Sequence, residues 1–305
     1  METKPRVKVR LVSSSLWSVA VIALAWIALF FDTIRRVVDD WRVDENYSHG
    51  FLVPFVSAYA IWNARERIFA MPRTPRLLLG GAVTLLSILM LFAGILGAEL
   101  YLARIAMLLS VVGLVLYFCG SAWLASLAFP IGIWFLAIPI PSTIFFQIAL
   151  PLQLIASEYA TRAIKLFGIP ALREGNVIEL AQLKLQVVEA CSGIRSLISL
   201  ATLAVVYVHF AENRWWRRIA LVAAVIPIAI VANAARVAGT GIMAHFYGTE
   251  AAEGFLHSFS GWLVFLVAVL LLLAVSRFFN LIERIFHRDR KADNGFNTKR
   301  TRSWP

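Results

Sequence analysis

Cys191 heads an apolar stretch, in the run Glu189-Ala190-Cys191-Ser192-Gly193-Ile194-Arg195, and is one of only two cysteines among 305 residues. A thiol there has the makings of a nucleophile. Unpaired N–H groups and the dipole at a helix start favour the thiolate, and Arg195, four residues on, shares that face. Arg236 lies inside the next apolar stretch, and His257 stands just ahead of the one after. A thiolate to attack a carbonyl, a histidine to carry the proton to the leaving group and a cation to hold the oxyanion are the parts of covalent acyl transfer. Whether these residues can meet depends on the elements that carry them.

Hydrophobic residues make up 60% of the chain and charged residues 15%, with a mean hydropathy of +0.76. That is too apolar for a soluble domain of this size, which needs a charged surface, and it predicts an all-α, polytopic transmembrane helix bundle. A crossing helix needs about 20 apolar residues. This ruler gives about eight spans, near 11–31, 48–62, 77–97, 100–119, 121–141, 192–211, 219–244 and 258–278. The second is short and reads either as a full span or as a re-entrant or interfacial segment. The first has a long apolar run without a small-residue cleavage site, so it reads as a retained span rather than a signal peptide.

Cytoplasmic loops retain Lys and Arg. Lys4, Arg6, Lys8 and Arg10, then Arg65, Arg67, Arg73 and Arg76, then Arg214, Arg217 and Arg218, and finally the tail over 277–302 fall on one side of the alternating count. Both termini are therefore expected in the cytoplasm. The formal charge of +11 is then explained by orientation and by attraction to anionic membrane lipid, not by nucleic-acid binding. Two regions follow: a transmembrane domain over 1–278 and a basic, disordered cytoplasmic tail over 279–305.

One extra-membrane segment is long, 142–190, between spans five and six on the outer face by the count. Over 143–167 apolar residues at helical spacing alternate with Gln147, Gln153, Glu158, Arg162 and Lys165, which predicts an interfacial helix that Pro151 kinks or divides. Over 176–188 the alternation predicts a short β-hairpin. Such a ribbon is either a ledge that holds an extended peptide near the thiol by strand addition or a structural connector.

Arg236 lies about 17 residues into its span, roughly 26 Å at helical rise, near the outer boundary. An arginine in an apolar helix faces protein or water and reads as functional, with a structural ion pair or a snorkelling side chain as the alternatives. His257 is at the same level, and so is His245, which spacing does not exclude. Glu189 is placed to orient His257 or Arg195, or is simply solvated. His49 either lines the site or caps a helix. Cys119 falls at the inner end of span four, on the face opposite Cys191, which rules out a disulfide and leaves it a packing role. His49, His245 and His257 lack ligand spacing, so neither a metal nor a cofactor is expected.

The chain resembles the exosortase and archaeosortase family of membrane-embedded transpeptidases over most of its length. The resemblance rests on Tyr47-Ser48-His49-Gly50-Phe51-Leu52-Val53-Pro54 and on Val188-Glu189-Ala190-Cys191-Ser192-Gly193-Ile194-Arg195-Ser196-Leu197. It continues in Asn233-Ala234-Ala235-Arg236-Val237 and in Glu253-Gly254-Phe255-Leu256-His257-Ser258-Phe259-Ser260-Gly261-Trp262. It implies Cys191 as nucleophile, Arg236 as stabilising cation and His257 as proton-transfer residue. It also implies membrane-anchored substrate proteins with a C-terminal sorting signal of the PEP-CTERM class, cleaved on the outer, periplasmic face of a bacterial inner membrane, often in makers of exopolysaccharide. Two other classes fit parts of the pattern. Multiple spans with an intramembrane arginine suit a transporter or flippase for polysaccharide or lipid, although no inverted repeat is visible. The basic tail suits a structural subunit of an export complex.

Overall fold

The computed structural model describes residues 8–181, 183–187, 193–248 and 255–300, with side chains described over 17–181, 183–185, 187, 196–248 and 261–283. Among the described residues, Trp17–Val43, Leu77–Leu96, Leu100–Phe118, Trp215–Tyr247 and Gly261–Glu283 are helical, long enough and apolar enough to cross a membrane. The protein is a mostly helical, multi-pass membrane protein. Contacts divide it into two compact units, Met1–Pro139 and Ile140–Pro305.

In the first unit, α1 spans Lys8–Val43 and so continues a dozen residues beyond the apolar run expected at 11–31. The reason is a change of pattern. Past Phe31 the sequence becomes amphipathic, burying Thr33, Val37 and Trp41 while Arg35 and Asp39 pair on the exposed side at 3.8 Å. A 3-10 helix over Glu45–Leu52 follows, its first turn capped by the Asp44 carboxylate, which accepts from the Asn46 N–H at 2.9 Å. It leads into α2, Val53–Ala70, with Pro54 in the first turn where a missing N–H costs nothing. Past the expected span at 48–62, α2 continues through Arg65, Glu66 and Arg67, and it is not among the helices apolar enough to cross.

Helices α3, Leu77–Leu96, and α4, Leu100–Phe118, form an antiparallel hairpin. A Cβ on Gly80 would fall 2.3 Å from the Tyr117 backbone nitrogen, and one on Gly113 would fall 2.4 Å from Thr84 Oγ1. The two glycines let the backbones approach, the device membrane helices use where lipid removes the hydrophobic drive to associate.

Instead of one continuous helix over 121–141, the structure has three short pieces. These are α5, Ser121–Ser126; α6, Ala128–Gly132; and a 3-10 turn, Ile133–Leu136. Pro130, Pro139 and Pro141 each lack an N–H, so the helical ladder cannot continue and carbonyls are left over. Irregular backbone at membrane depth survives only when protein groups satisfy it. Here side chains from four other helical segments do so. Ser57 Oγ donates to Pro130 O at 2.8 Å, His49 Nε2 to Leu136 O at 3.0 Å, Trp41 Nε1 to Ala137 O at 2.8 Å and Arg104 Nη1 to Pro139 O at 3.3 Å. Arg104, only 6% exposed, also pairs with Asp40 of α1.

The second unit opens with α7, Ser142–Leu166, which runs through Pro151 as one helix rather than dividing there. It buries a stripe of small or polar residues, Ala149, Gln153, Ala156, Ser157, Ala160 and Thr161, and turns Ile144, Phe146, Ile148 and Leu150 outward. Strands β1, Ala171–Glu174; β2, Val177–Leu180; and β3, Lys184–Gln186, make a three-stranded antiparallel sheet in that order. The β1–β2 turn uses Gly175 at φ 64°, the sign that tight hairpins require. β2 and β3 pair Val177 with Gln186 and Glu179 with Lys184. The Glu179 carboxylate accepts a hydrogen bond from Lys184 and, with its charge, holds that ammonium above the usual lysine value.

Three helices complete the unit: α8, Gly193–Ala211; α9, Trp215–Tyr247; and α10, Phe255–Arg300. One buried cluster, containing Leu200 and Ala204 of α8, Val225 and Ala232 of α9, and Ala268 and Leu272 of α10, packs them together. A second joins α7 to the sheet and to α9 through Ile164, Ile178, Leu185, Val187, Val237 and Ala238.

Candidate functional site

Arg236 is the best-defined of the candidate residues. It sits in the C-terminal half of α9, where the next two residues, Val237 and Ala238, are locked into the cluster with Ile164 of α7, Leu185 of β3 and Val187 just beyond it. Those contacts fix the rotation of α9, and Arg236 itself is half-buried. Asn233, 7% exposed, lies one turn earlier on the same face. One turn later, Thr240 Oγ1 donates to the Arg236 carbonyl at 3.0 Å, the local back-bond that hydroxyl side chains make in membrane helices.

The Arg236 guanidinium reaches across to α10. Its Nη2, Cζ and Nη1 atoms lie 3.4, 3.5 and 3.6 Å from the point where a Cβ on Gly261 would stand. Position 257 is four residues before Gly261 in the same helix, hence near the same face and about 6 Å nearer its start. Arg236 and the backbone at His257 are thereby neighbours within one helical turn. The His257 and Arg195 side chains, and Glu189 and Cys191 altogether, lie outside the described residues.

The chain on either side of Cys191 is anchored. Val187, four residues before it, is buried against Val237, the residue after Arg236. Gly193, two residues after it, begins α8.

The remaining candidates are placed differently. His245 is exposed near the end of α9, edge-on to Phe246 at 5.1 Å. Nine residues from Arg236 at about 100° per residue put it on the opposite face of that helix. His49 belongs to the first unit, where its Nε2 is committed to the Leu136 carbonyl. Cys119 caps the end of α4, half-buried, with its thiol free. Among the described residues no group of three or more His, Cys, Asp or Glu is arranged to hold a metal ion.

A cleft of about 490 Å³ runs along the face of α9 opposite Arg236, between Ile155 and Tyr159 of α7 and Pro227, Ile230, Ala234 and Ala235 of α9. Its walls are apolar, as suits a segment embedded in lipid. Sequence reading passed over three structural participants. These are Gly261, the buried Arg104–Asp40 pair, and the buried cluster at the start of α9, where Arg217 Nη2 contacts Glu212 Oε1 at 3.1 Å and Arg217 Nη1 contacts Glu283 Oε2 at 3.4 Å. Arg104 carried a legible signal, an arginine inside an apolar helix. Gly261 carried one only in combination, being one turn past a candidate histidine on a helix that packs against the arginine's helix.

A family model for transmembrane exosortases matches residues 41–274. No curated protein and no solved structure matches the chain.

Proposed function

The chain belongs to the transmembrane exosortase family, and we propose that it is a cysteine peptidase and transpeptidase that cleaves C-terminal PEP-CTERM-like sorting signals at the outer face of a bacterial inner membrane. Its substrates are membrane-anchored proteins, and the active site faces the periplasm. The observation that carries the reading is the seat of Arg236: its guanidinium rests on α10 one turn from position 257.

The steps follow from the chemistry of the three side chains. The Cys191 thiol gives its proton to His257 and the sulfur attacks the scissile carbonyl. Negative charge develops on the carbonyl oxygen, where guanidinium N–H groups of Arg236 stabilise it in a site screened from water. As the tetrahedral intermediate collapses, the C–N bond breaks and His257 returns the proton to the departing amine, leaving a thioester on Cys191. An amine acceptor then attacks for transfer, or water for hydrolysis, and the thiol is regenerated. Arg195 and Glu189 flank the thiol in sequence and serve as auxiliaries, one lowering its pKa and the other orienting a cationic partner. The apolar cleft between α7 and α9 suits the hydrophobic helix of a sorting signal, lying in the bilayer with its outer end at the depth of the arginine.

The test is co-expression with a reporter that ends in such a signal, comparing reporter size and the mass of its new C-terminus for the natural chain and Cys191→Ala. Cleavage is expected with the former and absent with the latter at equal membrane insertion. Full cleavage by Cys191→Ala would falsify the thiol mechanism.

A further inference from the structure

We infer that Gly261 is a positioning residue for Arg236: its bare backbone forms the notch in α10 against which the guanidinium lies flat. The inference rests on the function proposed above for Arg236. Three guanidinium atoms, Nη2, Cζ and Nη1, are almost equidistant, at 3.4 to 3.6 Å, from the Cβ position of Gly261. A plane with three atoms at one distance from a point faces that point. The guanidinium therefore presents its face to α10, and its N–H groups, which lie in the plane, run along the α10 surface rather than into it.

The packing explains why the residue type matters. Helices in contact run with axes about 8–10 Å apart, and here α9 and α10 are held in register by Ile228 and Ala232 against Ala268 and Leu272. A long side chain leaving α9 in that narrow space meets α10 within its own length. At Gly261 the obstacle is only backbone. A methyl group would make ordinary van der Waals contact with the guanidinium at 3.4–3.6 Å, so alanine fits. A branched side chain extends about 1.5 Å further, into the plane of the cation, and the guanidinium has to leave. Donors that stabilise a developing oxyanion work only when preorganised, and a misplacement of about 1 Å costs about 100-fold in rate.

The experiment uses the full chain in membranes with the sorting-signal reporter, in the variants Gly261→Ala, Gly261→Val, Arg236→Ala and Arg236→Ala with Gly261→Val. Gly261→Ala is expected to process within about twofold of the natural chain and Gly261→Val about 100-fold more slowly, with unchanged insertion. In the Arg236→Ala background the valine is expected to add no further loss, since residues that act as a unit are non-additive. A second readout does not depend on turnover: in a Cys119→Ala background, the pH midpoint for alkylation of Cys191 rises in Gly261→Val toward that of Arg236→Ala, because the cation has moved from the thiol. Gly261→Thr serves if the valine form does not accumulate.

The inference is overturned if Arg236→Ala is inactive while Gly261→Val processes normally, or if the valine slows both backgrounds by the same factor, which marks a structural effect. If Arg236→Ala retains full processing, the proposed role of Arg236 fails first and the inference falls with it.

Discussion

Two arginines of helix α9, Arg217 and Arg236, stand 19 residues, or roughly 28 Å, apart, and their surroundings differ. Arg217, 6% exposed, is enclosed by carboxylates: Glu212, itself 4% exposed, and Glu283 of α10, which Arg214 also contacts at 2.8 Å. Ser276 donates to Glu212 at 2.9 Å and shares a hydrogen bond with Tyr207, so the charges are paired and the polar atoms around them mostly satisfied. Arg236 is half-buried, flanked by Asn233 and Thr240, and faces the backbone of α10 at Gly261. Arg217 thus serves as a fastener between carboxylates, whereas Arg236 lies flat against the backbone of α10, where the function proposed above makes it a reagent. A charge within a membrane protein is costly in both settings, and its surroundings tell which role justifies it.

Arg217→Ala would test the fastener most severely. Removing one partner leaves the Glu212 carboxylate buried and uncompensated, which costs about 3–5 kcal/mol. A large drop in thermal stability in detergent and poor accumulation are expected; an unchanged melting temperature would mean the cluster is not holding the helices. Arg236→Ala is the mirror case. Processing is expected to fall by about 100- to 1,000-fold, the cost of losing an oxyanion donor, with stability close to that of the natural chain. If it destabilises as Arg217→Ala does, the contrast between the two arginines collapses.

Ser57→Ala extends the comparison to a neutral buried donor in the first unit. It leaves the Pro130 carbonyl without its 2.8 Å partner, an expected loss of about 1–3 kcal/mol and no direct effect on chemistry. A stability change as large as that of Arg217→Ala would show that neutral capping matters as much as ion pairing here.

The smallest effect is expected at the exposed Lys184–Glu179 pair of the sheet. Its lysine value is raised by the Glu179 hydrogen bond and charge. The stabilisation is therefore fully present below the ordinary lysine value of 10.5 and disappears as pH rises through the higher folded value. Glu179→Gln should remove this alkaline dependence while leaving stability at neutral pH almost unchanged, because exposed pairs are screened by solvent and salt. A marked loss at neutral pH would show the pair to be more than a surface contact.

The apolar stretches at 77–97, 100–119 and 219–244 were legible because length and hydropathy are local properties, and helices occupy all three. The stretch at 121–141 has the same apolar composition, yet prolines break it and distant side chains repair it. The amphipathic extension of α1 beyond Phe31 and the passage of α7 through Pro151 depend on which residues neighbouring segments cover. For the site, residue types on successive apolar stretches pointed to Arg236 and His257. Spacing alone did not exclude His245 and left His49 either lining the site or capping a helix; the opposite face of α9 separates the first from Arg236, and the bond to Leu136 engages the second.

By itself the sequence determined that this protein lives in a membrane and which residue types the proposed acyl transfer draws on, since apolar length and side-chain chemistry are written residue by residue. Only the tertiary structure decided what each charge faces. Arg217 meets carboxylates from the loop after α8 and from α10, and Arg236 meets a glycine of α10. Those neighbours lie far along the chain, and the rotation and register of packed helices that bring them together are set by the whole interface rather than by any local run of residues.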